Sequence, residues 1–271
     1  MNILFFKLTV LVYFAGTVVY LFYFSSKKDF LSKYALGITG AGFLLHTIAI
    51  TIRTIESGHF PLSNLPEALS FFSWGMILTY LVLEYRYRIH ILGSFILPLA
   101  FLSLISAAAF PNEIKTLQPD LNSTWFGIHT TFSVLGGVAF TIAFVAGLMY
   151  LIQEKLLKSK RFNILYYKLP SLDLLDHLNQ QAISVGFPML TVGILAGALW
   201  AGDVWGAYWV WDPQRIFTLV TWLFYLGMIH GRLTIGWRGR KAAYLAIIGF
   251  MGVVFTFFVV NLLVKGPHRF I

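Results

Sequence analysis

Apolar positions dominate this chain in eight stretches, separated by short polar or charged connectors. They cover residues 8–26, 35–52, 68–83, 91–110, 125–152, 182–202, 216–231 and 242–264. A helix crosses the hydrocarbon of a bilayer in about 20 residues, with a range of roughly 17–25. The pattern therefore predicts an all-α, polytopic integral membrane helical bundle of about eight transmembrane helices. The third and seventh stretches are short, and Pro98 and Pro188 are expected to kink the fourth and sixth. Gly193 and Gly197 form a GxxxG face that permits another helix to approach closely. No soluble domain, low-complexity tract or repeat breaks the pattern, which predicts one integral membrane domain over residues 1–271. The first stretch follows a nearly uncharged segment and precedes no small-residue cleavage site, so it reads as a retained helix.

Composition strengthens this picture. Of the 271 residues, 58% are hydrophobic and only 11% charged, against roughly a quarter charged in a soluble domain. So much apolar surface cannot be hidden in a water-soluble globule, and the same figures exclude disorder and collagen. Zero Cys excludes a disulfide scaffold, thiol catalysis and thiolate metal sites. The net charge of +9 lies in short runs between apolar stretches, which fits anionic lipid and membrane orientation and argues against nucleic acid as a partner. Fourteen Lys and Arg fall in the connectors after the first, third, fifth and seventh stretches, and five fall on the other side. The richer side is expected in the cytoplasm, with both termini external. Lys7, left inside the first helix, dissents and is expected to snorkel outward. In the longest cytoplasmic connector Ser171 can cap a short helix, with Leu172, Leu175 and Leu178 on one face, lying flat on the membrane as an interfacial connector.

Candidate chemistry concentrates between the sixth and seventh stretches. Trp205, Tyr208, Trp209 and Trp211 fall within seven residues, with Gly206 among them and Asp212 directly after. An interfacial aromatic belt accounts for such residues. A rigid shelf for a planar apolar ligand accounts for them equally, with Gly206 permitting close backbone approach. Two of the seven histidines, His129 and His268, are placed by the connector count on the same side and at similar depth. Imidazole ligates haem iron, and two imidazoles can fill both axial positions.

The run Trp205-Gly206-Ala207-Tyr208-Trp209-Val210-Trp211-Asp212-Pro213 resembles the tryptophan-rich "WWD" signature, W-G-x-x-W-x-W-D, of haem-handling proteins in cytochrome c maturation. The resemblance is to the CcsA (ResC) family, the smaller membrane subunit of the system II cytochrome c synthetase. It extends over nearly the whole chain, including Gly58-His59-Phe60-Pro61-Leu62-Ser63-Asn64 with Glu67, and Gly236-Trp237-Arg238-Gly239-Arg240-Lys241-Ala242-Ala243. It implies haem b as the ligand, with His129 and His268 as the two external iron ligands. His230 is implied as a membrane-embedded iron ligand whose opposite ligand comes from a CcsB/ResB-type partner subunit. Trp205, Gly206, Tyr208, Trp209, Trp211 and Asp212 are implied to cradle the external haem. The implied activity is transport of haem to the external face of the bacterial cytoplasmic membrane, or its thylakoid equivalent. There a C-x-x-C-H apocytochrome c receives it, the chain acting as a synthetase subunit. One position departs from the pattern: the family commonly has Glu three residues after the signature Asp, and this chain has Arg215. An Arg there pairs either with a haem propionate or with Asp212.

Two other functions stay open on the sequence: a HemX-type haem carrier or sensor without ligation activity, and a structural or small-solute membrane protein whose Trp cluster is only a belt. Of the remaining histidines, His46 is expected as a hydrogen-bonded core residue or a relay ligand. His90 and His177 are expected at the cytoplasmic surface. Arg53 and Glu67 are expected to pair with each other or with propionates.

Overall fold

The computed structural model describes residues 2–26, 28–111 and 117–260. Among these residues the chain is helical with no strand: α1 (Asn2–Ser25), α2 (Phe30–Ser57), α3 (Leu65–Tyr87), α4 (Gly93–Ala108), α5 (Thr124–Lys158), α6 (Ile164–Lys168), α7 (Leu172–Trp205), α8 (Pro213–His230) and α9 (Arg240–Val254). Short 3₁₀ turns occupy His90–Leu92 and Pro119–Leu121, and single π turns occupy Gly231–Ile235 and Phe255–Val260. Taken with the 3₁₀ and π turns that extend α4, α8 and α9, eight of the described helices, all but the five-residue α6, are long and apolar enough to cross a membrane. An all-helical membrane architecture is what lipid demands, because no water is present there to satisfy an exposed backbone amide or carbonyl.

The chain divides into two compact units. The first contains α1 to α4 and α6. Here α3 begins on a signal written into the sequence: Asn64 accepts the Glu67 amide at 3.0 Å, and Glu67 reaches back to the Ser63 amide at 3.0 Å. That reciprocal arrangement satisfies amides that a helix start leaves open. Glu67 also pairs with Arg53 at 3.0 Å, which decides the partner of Arg53. His46 is fully buried, 2.9 Å from the Ser70 hydroxyl and 3.3 Å from that of Tyr13, and so is a hydrogen-bonded core residue. The Tyr13 ring lies across Gly42, where a Cβ would come within 2.7 Å of it, so α1 and α2 touch at a position only glycine permits. Lys168 of α6 donates to the carbonyls of Tyr23, in the last turn of α1, and of Ser26, directly after it. Burial there pulls its ammonium below the ordinary lysine range.

Two expectations are corrected in this part of the chain and at the start of the second unit. The third helix runs from Leu65 to Tyr87 rather than stopping near 83, while His90, just beyond it, keeps to the surface with its side chain 43% exposed. There the buried Glu84 carboxylate meets the His90 imidazole, and the helix ends where Arg88 adopts the left-handed backbone. Ser171 does cap a helix, accepting from the Leu174 amide, but that helix is the continuous α7 and not a separate interfacial one. Leu175 and Leu178 are buried rather than laid on lipid, and Asn179 donates to the Ala143 carbonyl at 2.8 Å, holding these first turns against α5.

The second unit contains α5 and α7 to α9. Asp176, in the second turn of α7, receives Arg232 at 2.5 and 3.2 Å and the Gly239 amide at 2.8 Å. One carboxylate thus ties α7 to both ends of the segment joining α8 to α9. Asp176→Ala leaves the largely buried Arg232 uncompensated, and its expected cost is about 3 kcal/mol or more. A drop in the thermal midpoint of the detergent-solubilised protein checks this, and an unchanged midpoint refutes it.

Candidate functional site

The site is built between the end of α7 and the start of α8. Helix α7 stops at Trp205 because Gly206 adopts φ +69°, and its amide closes the helix on the Gly202 carbonyl at 3.0 Å. Open space surrounds the position of a Gly206 Cβ, so the left-handed backbone is what requires glycine there. Helix α8 starts at Pro213 because extended Asp212 accepts the Arg215 amide at 3.0 Å. The signature is thus a helix stop, a short aromatic crossing and a helix start.

The crossing holds the rings in an open arrangement. Trp211 is 72% and Tyr208 67% exposed, while Trp209 stands edge-on to Trp211 at 5.5 Å. The Tyr208 ring lies over Gly202, where a Cβ would come within 2.6 Å. Beneath them Trp200 is only 3% exposed. It packs on Trp205 at 5.1 Å and Phe126 at 5.0 Å, and its indole donates to the Asp120 carbonyl at 2.8 Å. Trp200 was missed in the sequence because it belongs to the apolar run of a helix. Its signal was the spacing of five residues to Trp205, which puts both near one end of α7.

His129 stands in the second turn of α5, with its ring nearly parallel to Trp200 at 6.2 Å. Its Nδ1 lies 2.7 Å from the Gly193 carbonyl. Only an Nδ1–H can donate to a carbonyl, so Nε2 is the ring nitrogen left with a lone pair. The GxxxG pair explains how the helices come this close. A Cβ on Gly193 would lie 2.5 Å from the Ser133 hydroxyl, and one on Gly197 would lie 2.6 Å from Nδ1 of His129. The glycine face therefore receives α5 and seats this imidazole.

His129, Trp200, Tyr208, Trp209 and Arg215 line a common cavity of about 60 Å³. Trp205 adjoins it through Trp200, and the Arg215 guanidinium lies 5.2 Å from a Trp205 ring centre. Arg215 also pairs with Asp212 at 3.1 Å, so its charge is balanced inside the signature. His230 is not part of this assembly. It is exposed at the opposite end of α8, about 27 Å from Asp212 at 1.5 Å per residue, and a π turn begins directly after it. His268 lies outside the described residues. The rings and His129 form an open face beside a small cavity, a shape suited to a flat ligand that remains accessible from one side.

A family model described as Cytochrome C assembly protein matches residues 62–268 of the chain. The chain belongs to the cytochrome c assembly protein family. It is an integral membrane protein of cytochrome c biogenesis. Among relatives of this assembly protein, Cytochrome c biogenesis protein CcsA of Guillardia theta is 37% identical over 83% of this chain and 81% of its own length. The CcsA protein of Microcystis aeruginosa is 32% identical over 97% of this chain and 93% of its own length. Among solved structures, Cytochrome c Heme Lyase CcmF superposes with a TM-score of 0.71 at 15% identity, over 95% of this chain. The chain spans 46% of the length of that lyase, so the likeness is one of fold.

Proposed function

We propose that this assembly protein carries haem b to the membrane face that bears the α7–α8 crossing and holds it there for attachment to C-x-x-C-H apocytochromes c, as in system II. The observation that carries this is the state of His129: its Nδ1–H is committed to Gly193, which leaves the Nε2 lone pair to a histidine that lines the aromatic site. A ligating histidine needs that arrangement, because the outer hydrogen bond sets the tautomer and ring orientation. The residues fit a porphyrin in two further respects. Trp211 and Tyr208 present broad exposed faces, and the cavity beside His129 combines apolar walls from Ile194, Trp200 and Leu219 with the cationic side chain of Arg215.

In this function His129 is one external iron ligand and His268 the other, while the tryptophan faces orient the ring. His230, exposed near the Arg- and Lys-rich connector between α8 and α9, takes haem on the cytoplasmic side, opposite a ligand from a CcsB/ResB-type subunit. The excess of Lys and Arg on that side orients the chain, so the aromatic crossing is external. Attachment needs no group from this chain beyond positioning. Each substrate thiol adds across one haem vinyl: sulfur bonds to the inner vinyl carbon, and the proton ends on the outer one. Holding the ring still while the vinyl edge stays accessible is the contribution asked of the site.

Expression of the full chain with a CcsB-type partner, in cells lacking cytochrome c maturation, tests the proposal. Covalent haem on a C-x-x-C-H reporter is the expected result. Haem that co-purifies normally with no covalent product would convert the assignment to that of a HemX-type carrier. A colourless protein would reduce the tryptophans to an aromatic belt.

A further inference from the structure

We infer that Arg215 and Trp209 form a carboxylate subsite that holds one acid group of the porphyrin in the cavity beside His129. The inference rests on the proposed binding of haem at that histidine.

The guanidinium of Arg215 is clamped along one edge. Its Nε pairs with Asp212 at 3.1 Å, its Nη1 lies 3.5 Å from the Val210 carbonyl, and its plane lies against Trp205. Its Nη2 is buried and has no hydrogen-bond partner. The indole Nε1 of Trp209 is likewise buried without a partner. Both residues line the cavity that contains His129. A native structure rarely leaves a buried donor unmade, and here two stand at one small cavity, so an acceptor is the missing component.

Two donors, one of them cationic, select an anionic acceptor with more than one lone pair, which a carboxylate supplies. Asp212 is engaged along the other edge of the same residue: its Oδ1 accepts the Arg215 amide at 3.0 Å and its Oδ2 pairs with Nε at 3.1 Å. A Glu at position 215 would bring an acceptor and a second negative charge to the same place. The Arg reverses that sign and supplies a preorganised fork. Protoporphyrin bears its two carboxylates on one edge and its vinyls away from it. Gripping the acid edge therefore fixes which edge remains free for the substrate thiols.

The test uses the full chain, purified in detergent, and four probes: iron protoporphyrin, its dimethyl ester, and the metal-free forms of both. The wild-type chain is expected to bind each free acid about tenfold or more tightly than its ester, the range of one charge-assisted hydrogen bond. Arg215→Gln and Trp209→Phe, the second of which keeps an aromatic ring in place, are each expected to shrink that preference towards unity. His129→Gly is expected to change the iron spectrum while keeping the acid-over-ester preference for the metal-free pair. Equal binding of acid and ester by the wild-type chain, or an undiminished preference in Trp209→Phe and Arg215→Gln, overturns the subsite and leaves haem binding at His129 standing. A haem spectrum that does not respond to His129→Gly overturns the proposed function itself, and the subsite with it.

Discussion

His129→Gly is expected to lose the six-coordinate spectrum of the reduced, haem-loaded protein and to abolish covalent haem on a co-expressed reporter. The expected fall exceeds the roughly 10–100-fold that loss of an outer-shell partner costs a metal site, because the ligand itself is removed. Added imidazole is expected to restore part of the spectrum by occupying the space that the side chain leaves. The same rescue is expected for His268→Gly. Spectra unchanged in both variants remove these histidines as ligands. The experiment separates ligation from packing, since His129 also lies against Trp200. A packing defect lowers thermal stability and is not mended by a small base, whereas a lost ligand is.

The second large effect is expected from a single methyl group. Gly197→Ala places a Cβ 2.6 Å from Nδ1 and 2.9 Å from Cε1 of His129. The ring has little room to yield, because Nδ1 is tied to the Gly193 carbonyl at 2.7 Å. Relief requires either rotation of the imidazole, which breaks that bond, or separation of α5 from α7. Haem binding is therefore expected to fall by about 10–100-fold, the range seen when an outer-shell partner is lost. Intrinsic helix propensity works the other way, since Ala exceeds Gly by about 1 kcal/mol within a helix. Gly40→Ala in α2, where nothing lies within 4 Å of the added Cβ, supplies the control. Its expected outcome is unchanged haem binding with equal or slightly higher stability. Equal haem affinity in Gly197→Ala and Gly40→Ala would show that Gly197 does not position the imidazole.

The two substitutions also mark how far the site could be read from the chain. The glycine pair was visible as a spacing, but a spacing does not name the helix that approaches it. Its partner, Ser133 and His129 on α5, lies about 60 residues away in sequence. Arg215 was open to either of two partners, and the structure shows the contact with Asp212 while leaving Nη2 without a hydrogen bond. The flat connector helix predicted after Ser171 was an error of context. Leucines on one face describe a helix against lipid and a helix against protein equally well, and Asn179 bonded to Ala143 shows that α7 takes the second course.

By itself the sequence determined the class of the protein, its helical content, the number of spans and the place of the aromatic signature. These follow from local rules. Lipid forces each backbone to satisfy itself within a helix, and Gly206, Asp212 and Pro213 stop and start helices through their own φ angles and side chains. Tertiary structure alone decided that Trp200 underlies the site, that Nδ1 of His129 is the nitrogen already spent, and that Arg215 and Trp209 face one cavity with donors unmet. Those outcomes depend on which distant side chains and carbonyls meet when α5, α7 and α8 pack. No local pattern of residues encodes such meetings one at a time.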